Sequence, residues 1–544
     1  MKMKKGLIFA SILMLLMSSV AGCSNAKNES APSEVTMEQD EDGRLIEGNV
    51  YLEGLPIVKD KYSFNIFMPG DNKPDEVEAY KKIEEATNVD VKWDMQSWAA
   101  AGEKKNLMFS SGDYADAIAG WALSESDVMK YGPKGVLIPL EDLIDKYTVN
   151  IKRMFEEVPE ARKAVTTPDG HIYTIPLVQK QANTKSVLHI NKQWLDTLGL
   201  SMPTTTDELY NVLKAFKNGD PNGNGKKDEI PLTFELNGPN NNQYGLFGFF
   251  GRIDSPNHLV MDDGKVVYTA AQPEWKEAVK WFNKLWEEGL LDLEVFTHDT
   301  AQWQAKGRQN PPIYGVTSDW DGVEALGEEN FKQYEMLLPV TGPNVEQAEW
   351  PQPDPDVFKA QFAITSAAEQ PAAILRWLDQ LFPAITEDGL NETLYGKEGE
   401  GWEKTPEGKF KALPKPEGPT TYDKLPGFPN YWPFDLSEKT EGVYMGPDAI
   451  TGENYKLYTL AEAYEPYLTK NPFPPIWLTP EQQMEISTIQ TDIQKATDEK
   501  FARWVTGEDD IDAGWDSFQK DLEKMGLSRL LEIYQEAVDT YYSL

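Results

Sequence analysis

Tyr62-Ser63-Phe64-Asn65-Ile66-Phe67-Met68, closed by Pro69-Gly70, alternates with a period of two. That period places one set of side chains on one face of an extended chain, so the stretch predicts a strand. A helix is predicted next, because Val77, Tyr80 and Ile83 recur three apart between charged residues and Asn88 suits its end. Val89, Val91 and Trp93 then alternate as a second strand, residues 99–109 read as helix, and Tyr114-Ala115-Asp116-Ala117-Ile118-Ala119 reads as a short buried strand after the turn Ser111-Gly112-Asp113. Strands and helices in alternation imply an α/β fold, a parallel sheet with helices on both faces. In such a sheet ligands bind in the loops at the carboxyl ends of the strands. Those loops are Pro69-Gly70-Asp71, Gln96-Ser97-Trp98 and Gly120-Trp121-Ala122-Leu123-Ser124, and two of them carry a tryptophan.

A second α/β unit starts at Ser186-Val187-Leu188-His189-Ile190 and continues through a helix near 192–198 that breaks at Gly199-Leu200-Ser201-Met202-Pro203. Thr204-Thr205-Thr206-Asp207-Glu208 then caps a helix at about 207–217, with carboxylates at its positive end. Residues 273–288 form another helix with one apolar stripe, Trp275, Ala278, Val279, Phe282, Leu285 and Trp286; Pro273 suits its first turn and Gly289 stops it. Those tryptophans read as core. From 395 to about 478 the chain is rich in Pro, Gly and Tyr, and it closes with helical stretches near 480–505 and 515–542.

The 544 residues carry 52 Lys and Arg against 89 Asp and Glu, a formal charge of −37. A nucleic-acid binder is excluded on that balance, because phosphates are held by basic side chains. With 16 Trp, 23 Tyr and 22 Phe there is ample material for real cores. One cysteine excludes a disulfide framework and a multi-cysteine metal site, and four scattered histidines disfavour a His-rich metal centre. Carboxylates, amides and aromatic faces are left to do the chemistry.

At the N-terminus, Lys2, Lys4 and Lys5 precede an apolar run from Gly6 to Val20, and Ala21-Gly22 leads to Cys23. This is the pattern of a bacterial export signal, too short for a comfortable membrane span. Val20-Ala21-Gly22-Cys23 looks like a lipobox, with Cys23 the lipidation site; a plain secretory signal with a coincidental cysteine is the alternative. The small polar run 24–33 reads as a flexible tether, so residues 1–22 are expected to be a signal peptide and 23–60 a lipid-anchored tether. The folded part then stands at the extracellular face of the cell membrane.

The sharpest local motif is Asp220-Pro221-Asn222-Gly223-Asn224-Gly225-Lys226-Lys227-Asp228-Glu229. Counting from Asp220, oxygen-bearing side chains fall at positions 1, 3, 5 and 9 and glycine at 6, while the Lys226 carbonyl is available at 7. That is the ligand order of a calcium loop, in which a hard cation needs about six to eight oxygens. Position 12 is Pro231, without a side-chain oxygen, so Glu229 must serve as the last carboxylate. The expected metal site is Asp220, Asn222, Asn224, Lys226, Asp228 and Glu229 around a structural calcium; an Asn-Gly turn with solvated acids is the alternative.

Taken with the lipobox and these motifs, Asn191-Lys192-Gln193-Trp194-Leu195-Asp196-Thr197-Leu198-Gly199-Leu200, Tyr395-Gly396-Lys397-Glu398-Gly399-Glu400-Gly401-Trp402 and residues 501–525 resemble the ABC-transporter extracellular solute-binding lipoproteins of family 1, in the branch that includes aldouronate- and alginate-oligosaccharide-binding members. The resemblance implies a type II periplasmic-binding-protein fold: two α/β lobes joined by hinge strands, with extra C-terminal helices and no enzymatic activity. Lobe I is expected at 61–178 and 357–394, lobe II at 179–356 and 395–544, and the hinges near 178–181 and 361–364. The implied partners are an oligosaccharide and ABC permease subunits, and a monomer is expected.

In maltose-binding relatives an aromatic loop in each lobe grips the sugar, and here Gly120-Trp121 and the Trp loop after Ile313-Tyr314-Gly315-Val316-Thr317-Ser318-Asp319-Trp320 occupy those slots, with Asn240 to Tyr244 as neighbours. A pyranose stacks on indole with one face and presents hydroxyls at its rim. The candidate ligand-binding residues are Trp98, Trp121, Lys180, Tyr244, Arg308, Asp319, Trp320 and Trp432; Arg252 joins Lys180 and Arg308 as a cleft cation if the ligand is acidic. Two other readings compete, an extracellular glycoside hydrolase with a carboxyl pair and a ligand-sensing partner of a membrane kinase.

Overall fold

In a computed structural model the strand Tyr62–Pro69 pairs in parallel with Val89–Gln96 along its whole length, Tyr62 opposite Val89 and Pro69 opposite Gln96. On its other side it pairs in parallel with Ala117–Ala119. Described residues are 37–70, 74–179, 186–238, 241–351, 357–382 and 460–543, with short pieces between the last two that include the strands Trp402–Lys404, Phe410–Ala412 and Tyr431–Trp432. Cys23, Lys180, Asn240 and most of the 395–402 motif lie outside them.

Three further strands complete the first sheet: Val357–Ile364 runs antiparallel to Ala117–Ala119, Ile175–Gln179 antiparallel to Val357–Ile364, and Tyr431–Trp432 lies at the edge. Helices cover both faces, which is why Ile66, Phe67 and Met68 are all buried although their neighbours alternate. The helix Glu78–Thr87 ends where expected: Asn88 takes the left-handed conformation at φ 62°, and its N–H donates to Glu84. The expected strand at 114–119 shortens to Ala117–Ala119, because the Asp116 carboxylate accepts the Asn65 N–H at 2.8 Å and anchors the approach as a loop.

The second sheet is mixed, in the order Tyr334–Leu337, Val187–Asn191, Tyr314–Asp319, Ile230–Thr233. Only the last pair is parallel. Pro231 is tolerated because its strand lies at the sheet edge. Pro273–Glu287 buries Trp275, Ala278, Val279, Phe282 and Leu285 as expected, and Trp281 with them. Helix Pro480–Val505 is closed by a capping box from Thr479 and Gln482 and packs Trp504 among Trp275, Trp515 and Phe518. The single helix expected at 515–542 is two, Ile511–Met525 and Leu527–Ser543, because Gly526 adopts φ 103° between them.

Two expectations are corrected. Residues 37–60 are not a free tether throughout: Met37–Gln39, Leu45–Glu47 and Val50–Tyr51 form a small sheet, Ile57 and Val58 are fully buried, and Arg376 donates to the carbonyls of Tyr51 and Gly54. A hinge at 361–364 also fails, since Phe362, Ala363 and Ile364 pair with Ala119, Ile118 and Ala117 deep in the first sheet.

Candidate functional site

Strand direction brings two edges together. Tyr62–Pro69, Val89–Gln96 and Ala117–Ala119 are parallel, so their carboxyl ends share one edge of the first sheet. Ile175–Gln179 ends at that same edge, with Val178 opposite Val357, where Val357–Ile364 begins. After the first crossover, Val187–Asn191 starts with Val187 opposite Asp319, at the carboxyl end of Tyr314–Asp319. Both crossovers therefore join the edge that carries Trp98 and Trp121 to the edge that carries Trp320. Ser186 fastens the junction, accepting the Trp350 indole N–H at 2.8 Å on its carbonyl and the Asn242 N–H at 3.2 Å on its hydroxyl.

Trp98 and Trp121 are 49% and 45% exposed, unusual for indoles in a protein with this much core. Each lies two residues past a strand end, Trp98 as the first residue of helix Trp98–Ser111 and Trp121 within the 3-10 turn Gly120–Ala122. Trp320 is partly exposed, and its backbone N–H donates to Asn241 Oδ1 at 2.9 Å. Trp432 stands opposite Gln179 in the edge strand at the crossover; its side chain is outside what is described.

Other candidates have different work. Tyr244 is only 5% exposed, and its hydroxyl donates to Asn237 Oδ1 at 2.9 Å, so it bolts the loop to the core. Burial pushes its phenol up, with Asp254 and Asp498 adding to the effect. Asp319 is fully buried, 3.4 Å from His189, and accepts the Gly322 N–H. Arg308 is exposed and donates to the Glu324 carbonyl at 2.9 Å. Arg252 is drawn away by Asp262, at 2.9 Å. Phe358 and Glu324, which the sequence reading passed over, sit beside the aromatic loops. Periodicity carries no signal for either, although Asp321-Gly322-Val323-Glu324 has the spacing of a helix start, and Asp321 Oδ1 does accept the N–H groups of Val323 and Glu324 at 2.9 and 3.0 Å.

The 220–229 loop winds as a chain of side-chain-capped turns. Asn222 Oδ1 accepts from Asn224 N–H at 3.1 Å, Asn224 Oδ1 from Lys226 N–H at 2.7 Å, and the Asp220 carboxylate from Gly225 N–H at 3.1 and 3.2 Å. Gly223 and Gly225 both take positive φ. Among the described residues no three His, Cys, Asp or Glu are gathered as a metal cluster; the Asn222 and Asn224 amides instead donate to Asp228. The loop's chemistry nevertheless fits a cation. Glu229 Oε1 is buried without a hydrogen-bond partner, and burial, with Asp228 and Asp220 nearby, pushes its carboxyl up.

Two α/β bodies, each with a tryptophan beyond the carboxyl end of a strand, have the frame of a two-lobed binding protein. The chain belongs to the bacterial extracellular solute-binding protein family, whose model matches residues 70–382. It is a solute-binding protein and not an enzyme. Among its relatives is the fructooligosaccharide ABC transporter substrate-binding protein FusA of Streptococcus pneumoniae serotype 4, 36% identical over 490 residues, 86% of this chain and 88% of FusA. The solved structure of FusA with kestose superposes with a TM-score of 0.74 at 33% identity, covering 88% of this chain and 99% of that one, and FusA has also been solved as an EF-hand mutant with fructo-nystose. The alginate-binding protein AlgQ2, solved without calcium ion, is 26% identical with a TM-score of 0.66 over 89% of this chain and 99% of that one. Among the described residues no helix is long and apolar enough to cross a membrane.

Proposed function

We propose that this protein is the substrate-binding lipoprotein of an ABC importer, that it captures an oligosaccharide between its lobes, and that the loaded form is what the permease pair receives. The observation that carries this is the placing of exposed Trp98 and Trp121 beyond the carboxyl ends of strands in one sheet and of partly exposed Trp320 beyond the end of Tyr314–Asp319 in the other. Likeness to FusA over most of both chains supports an ABC importer, and makes a fructooligosaccharide the first ligand to test, ahead of the uronates that the aldouronate and alginate branch would suggest.

The lobes divide as 61–178 with 357–394, and 179–356 with 395–544. Trp121 and Trp98 offer apolar faces from lobe I, and Trp320 offers one from lobe II, while Asp319 and Tyr244 hold the second loop in shape. Closure is a population shift, so the sugar favours it only by touching both lobes. The lipobox places Cys23 at the outer face of the membrane as an acylated anchor. Calcium, held by Asp220, Asn222, Asn224, Asp228, Glu229 and the Lys226 carbonyl, fixes a loop between helix and strand and takes no part in binding sugar.

The test is a thermal-shift panel of oligosaccharides, with kestose first, followed by calorimetric titration. A ligand at 100 times its dissociation constant stabilises by about 2.7 kcal/mol. Absence of any shift across fructans, glucans, xylans and uronate oligomers would overturn the reading, as would release of reducing ends from any of them.

A further inference from the structure

The closing helix Leu527–Ser543 is packed into the second body. Leu527, Leu530, Ile533, Ala537 and Val538 are buried in the core that also holds Trp275 and Phe282, and Gln535 accepts the Val266 N–H at 2.8 Å and donates to the Gly264 carbonyl at 3.1 Å. Its last turn reaches the first body. Lys163 Nζ stands 4.6 Å from the centre of the Tyr541 ring and 5.6 Å from that of Tyr542, and the two rings meet edge to face with centroids 5.3 Å apart. Lys163 lies on the helix Pro159–Val165, whose Ala161, Ala164 and Val165 are buried in the core of the first sheet. An ammonium at such distances is attracted to the ring faces, so one cation of the first body is shared by two rings of the second.

The next residue on the same helix makes a contact of another kind. Ile476 is buried in the second body's core and its neighbour Trp477 in the first's, where the Trp477 indole N–H donates to the Ala164 carbonyl at 2.7 Å. There the chain itself passes between the bodies, and the link is buried. Lys163 and the tyrosines are joined by no chain, and Tyr542 is exposed. When one body turns on the other, a buried and covalently continuous link acts as a pivot, whereas a surface contact beside it is made in one arrangement and broken in another. The arrangement in which it is made leaves Trp98 and Trp121 exposed, as in a cleft without sugar.

We propose that Lys163 and the Tyr541–Tyr542 pair are a latch that holds the sugar-free arrangement of the two lobes and lets go as sugar draws them together. The proposal rests on the interlobe reading of the sugar site and adds what resists closure. A sugar that favours the closed form has to overcome the latch, so the apparent affinity is lowered by the fraction of the protein that the latch keeps open.

The experiment titrates the wild type, Lys163→Met, Lys163→Arg and the double variant Tyr541→Leu, Tyr542→Leu with kestose, or with whichever oligosaccharide gives the largest shift in the panel. Lys163→Met and the tyrosine double variant are each expected to bind about three- to tenfold more tightly, the scale of one cation shared by two surface rings. Combining them should add nothing further, since both remove the same contact. Lys163→Arg keeps a cation over the rings and should bind as the wild type does; melting temperatures serve as the folding control. The reverse experiment holds the latch shut: Lys163→Cys with Tyr542→Cys, in the lipid-free Cys23→Ala chain, joined by a short bis-methanethiosulfonate, should bind at least about tenfold more weakly until a reductant cuts the link. Unchanged or weaker binding in both Lys163→Met and the tyrosine variant overturns the proposal, and so does a cross-linked protein that binds as tightly as the reduced one, in each case leaving an oligosaccharide in the cleft. If no oligosaccharide binds the wild type, the functional reading falls and this proposal with it.

Discussion

Trp121 stands edge-on to Phe358, their ring centroids 5.2 Å apart and their planes at 89°. Phe358 is the second residue of the strand Val357–Ile364, so a central strand of the first sheet supports this exposed indole. An edge-to-face contact leaves one indole face open to a ligand while fixing its tilt. Trp121→Ala and Trp320→Ala are each expected to weaken oligosaccharide binding by about 1–3 kcal/mol. Phe358→Ala should weaken it by less, about 0.5–1.5 kcal/mol, by loosening Trp121. Titration calorimetry checks all three, and unchanged affinity in both tryptophan variants would place the ligand elsewhere.

The next residue along faces a different task. Lys359 is buried, donates to the carbonyls of Ile476 at 2.6 Å and Pro475 at 3.2 Å, pairs with Glu125 at 2.8 Å, and lies 4.2 Å over the Trp477 ring. Trp477 in turn donates to the Ala164 carbonyl at 2.7 Å. Burial holds the Lys359 ammonium below its usual range, with Glu125 working against that. This staple fastens the C-terminal region to lobe I. Lys359→Met removes the donor from the buried Ile476 carbonyl and the part-buried Pro475 carbonyl, so it should cost about 1–3 kcal/mol and expose residues 470–479 to limited proteolysis. Unaltered melting and digestion would show the staple to be dispensable.

His258 gives the protein a basic limit. Its Nδ1 lies 2.9 Å from Asp254, which also accepts the Trp275 indole N–H at 3.0 Å, and Asp498 of helix Pro480–Val505 is 3.9 Å from the other nitrogen. Burial opposes the charged ring, yet Asp254 and Asp498 outweigh it and push the imidazole up to about 9. A histidine raised in the folded state contributes stability that is fully present below its ordinary value of about 6.5 and is lost as pH rises through about 9. Roughly 3 kcal/mol should disappear across that window. Denaturant unfolding at pH 6 and pH 10 measures it, and His258→Asn should flatten this part of the profile.

Local signals reveal much of this and geometry withholds the rest. The alternation of Tyr62 to Met68, the stripe of Trp275 to Leu285 and the cap at Asn88 are short-range patterns, and each element forms where its pattern lies. The exposed positions of Trp98 and Trp121 follow from the strand ends before them, which place the next residues on a known edge. Tyr244 and Asp319 are different: a polar side chain after a strand reads alike whether it faces a ligand or bolts a loop, and only burial decides. Pairing direction in the second sheet, the return of the chain at Val357 and the hydrogen bonds that Asn241 makes with Glu235 and Trp320 depend on contacts between distant segments, which periodicity does not encode.

The anchor prediction is independent of the cleft. Cys23→Ala should move the protein from the membrane fraction to the medium, read by fractionation and immunoblotting, whereas continued retention would mean that something other than acylation holds it.

Calcium can be separated from sugar binding by pH. Burial, with Asp228 and Asp220 nearby, pushes the Glu229 carboxyl up, so the fold holds its proton more tightly than the unfolded chain does. The sign follows: ionising Glu229 costs stability, a cost absent below the ordinary carboxyl value of 4.5 and fully present above the raised one. A cation beside Glu229 Oε1 removes that cost only for the ionised form, and protons compete with it for Asp220 and Asp228. The gap in melting temperature between calcium-loaded and chelator-treated protein should therefore be wide at pH 7 and shrink toward pH 4.5, with oligosaccharide affinity unchanged at pH 7. Glu229→Gln should narrow the pH 7 gap, since it withdraws a charged ligand. An equal gap at both pH values would show that no cation is held through Glu229, and no gap at either would show that the 220–229 loop stands without metal.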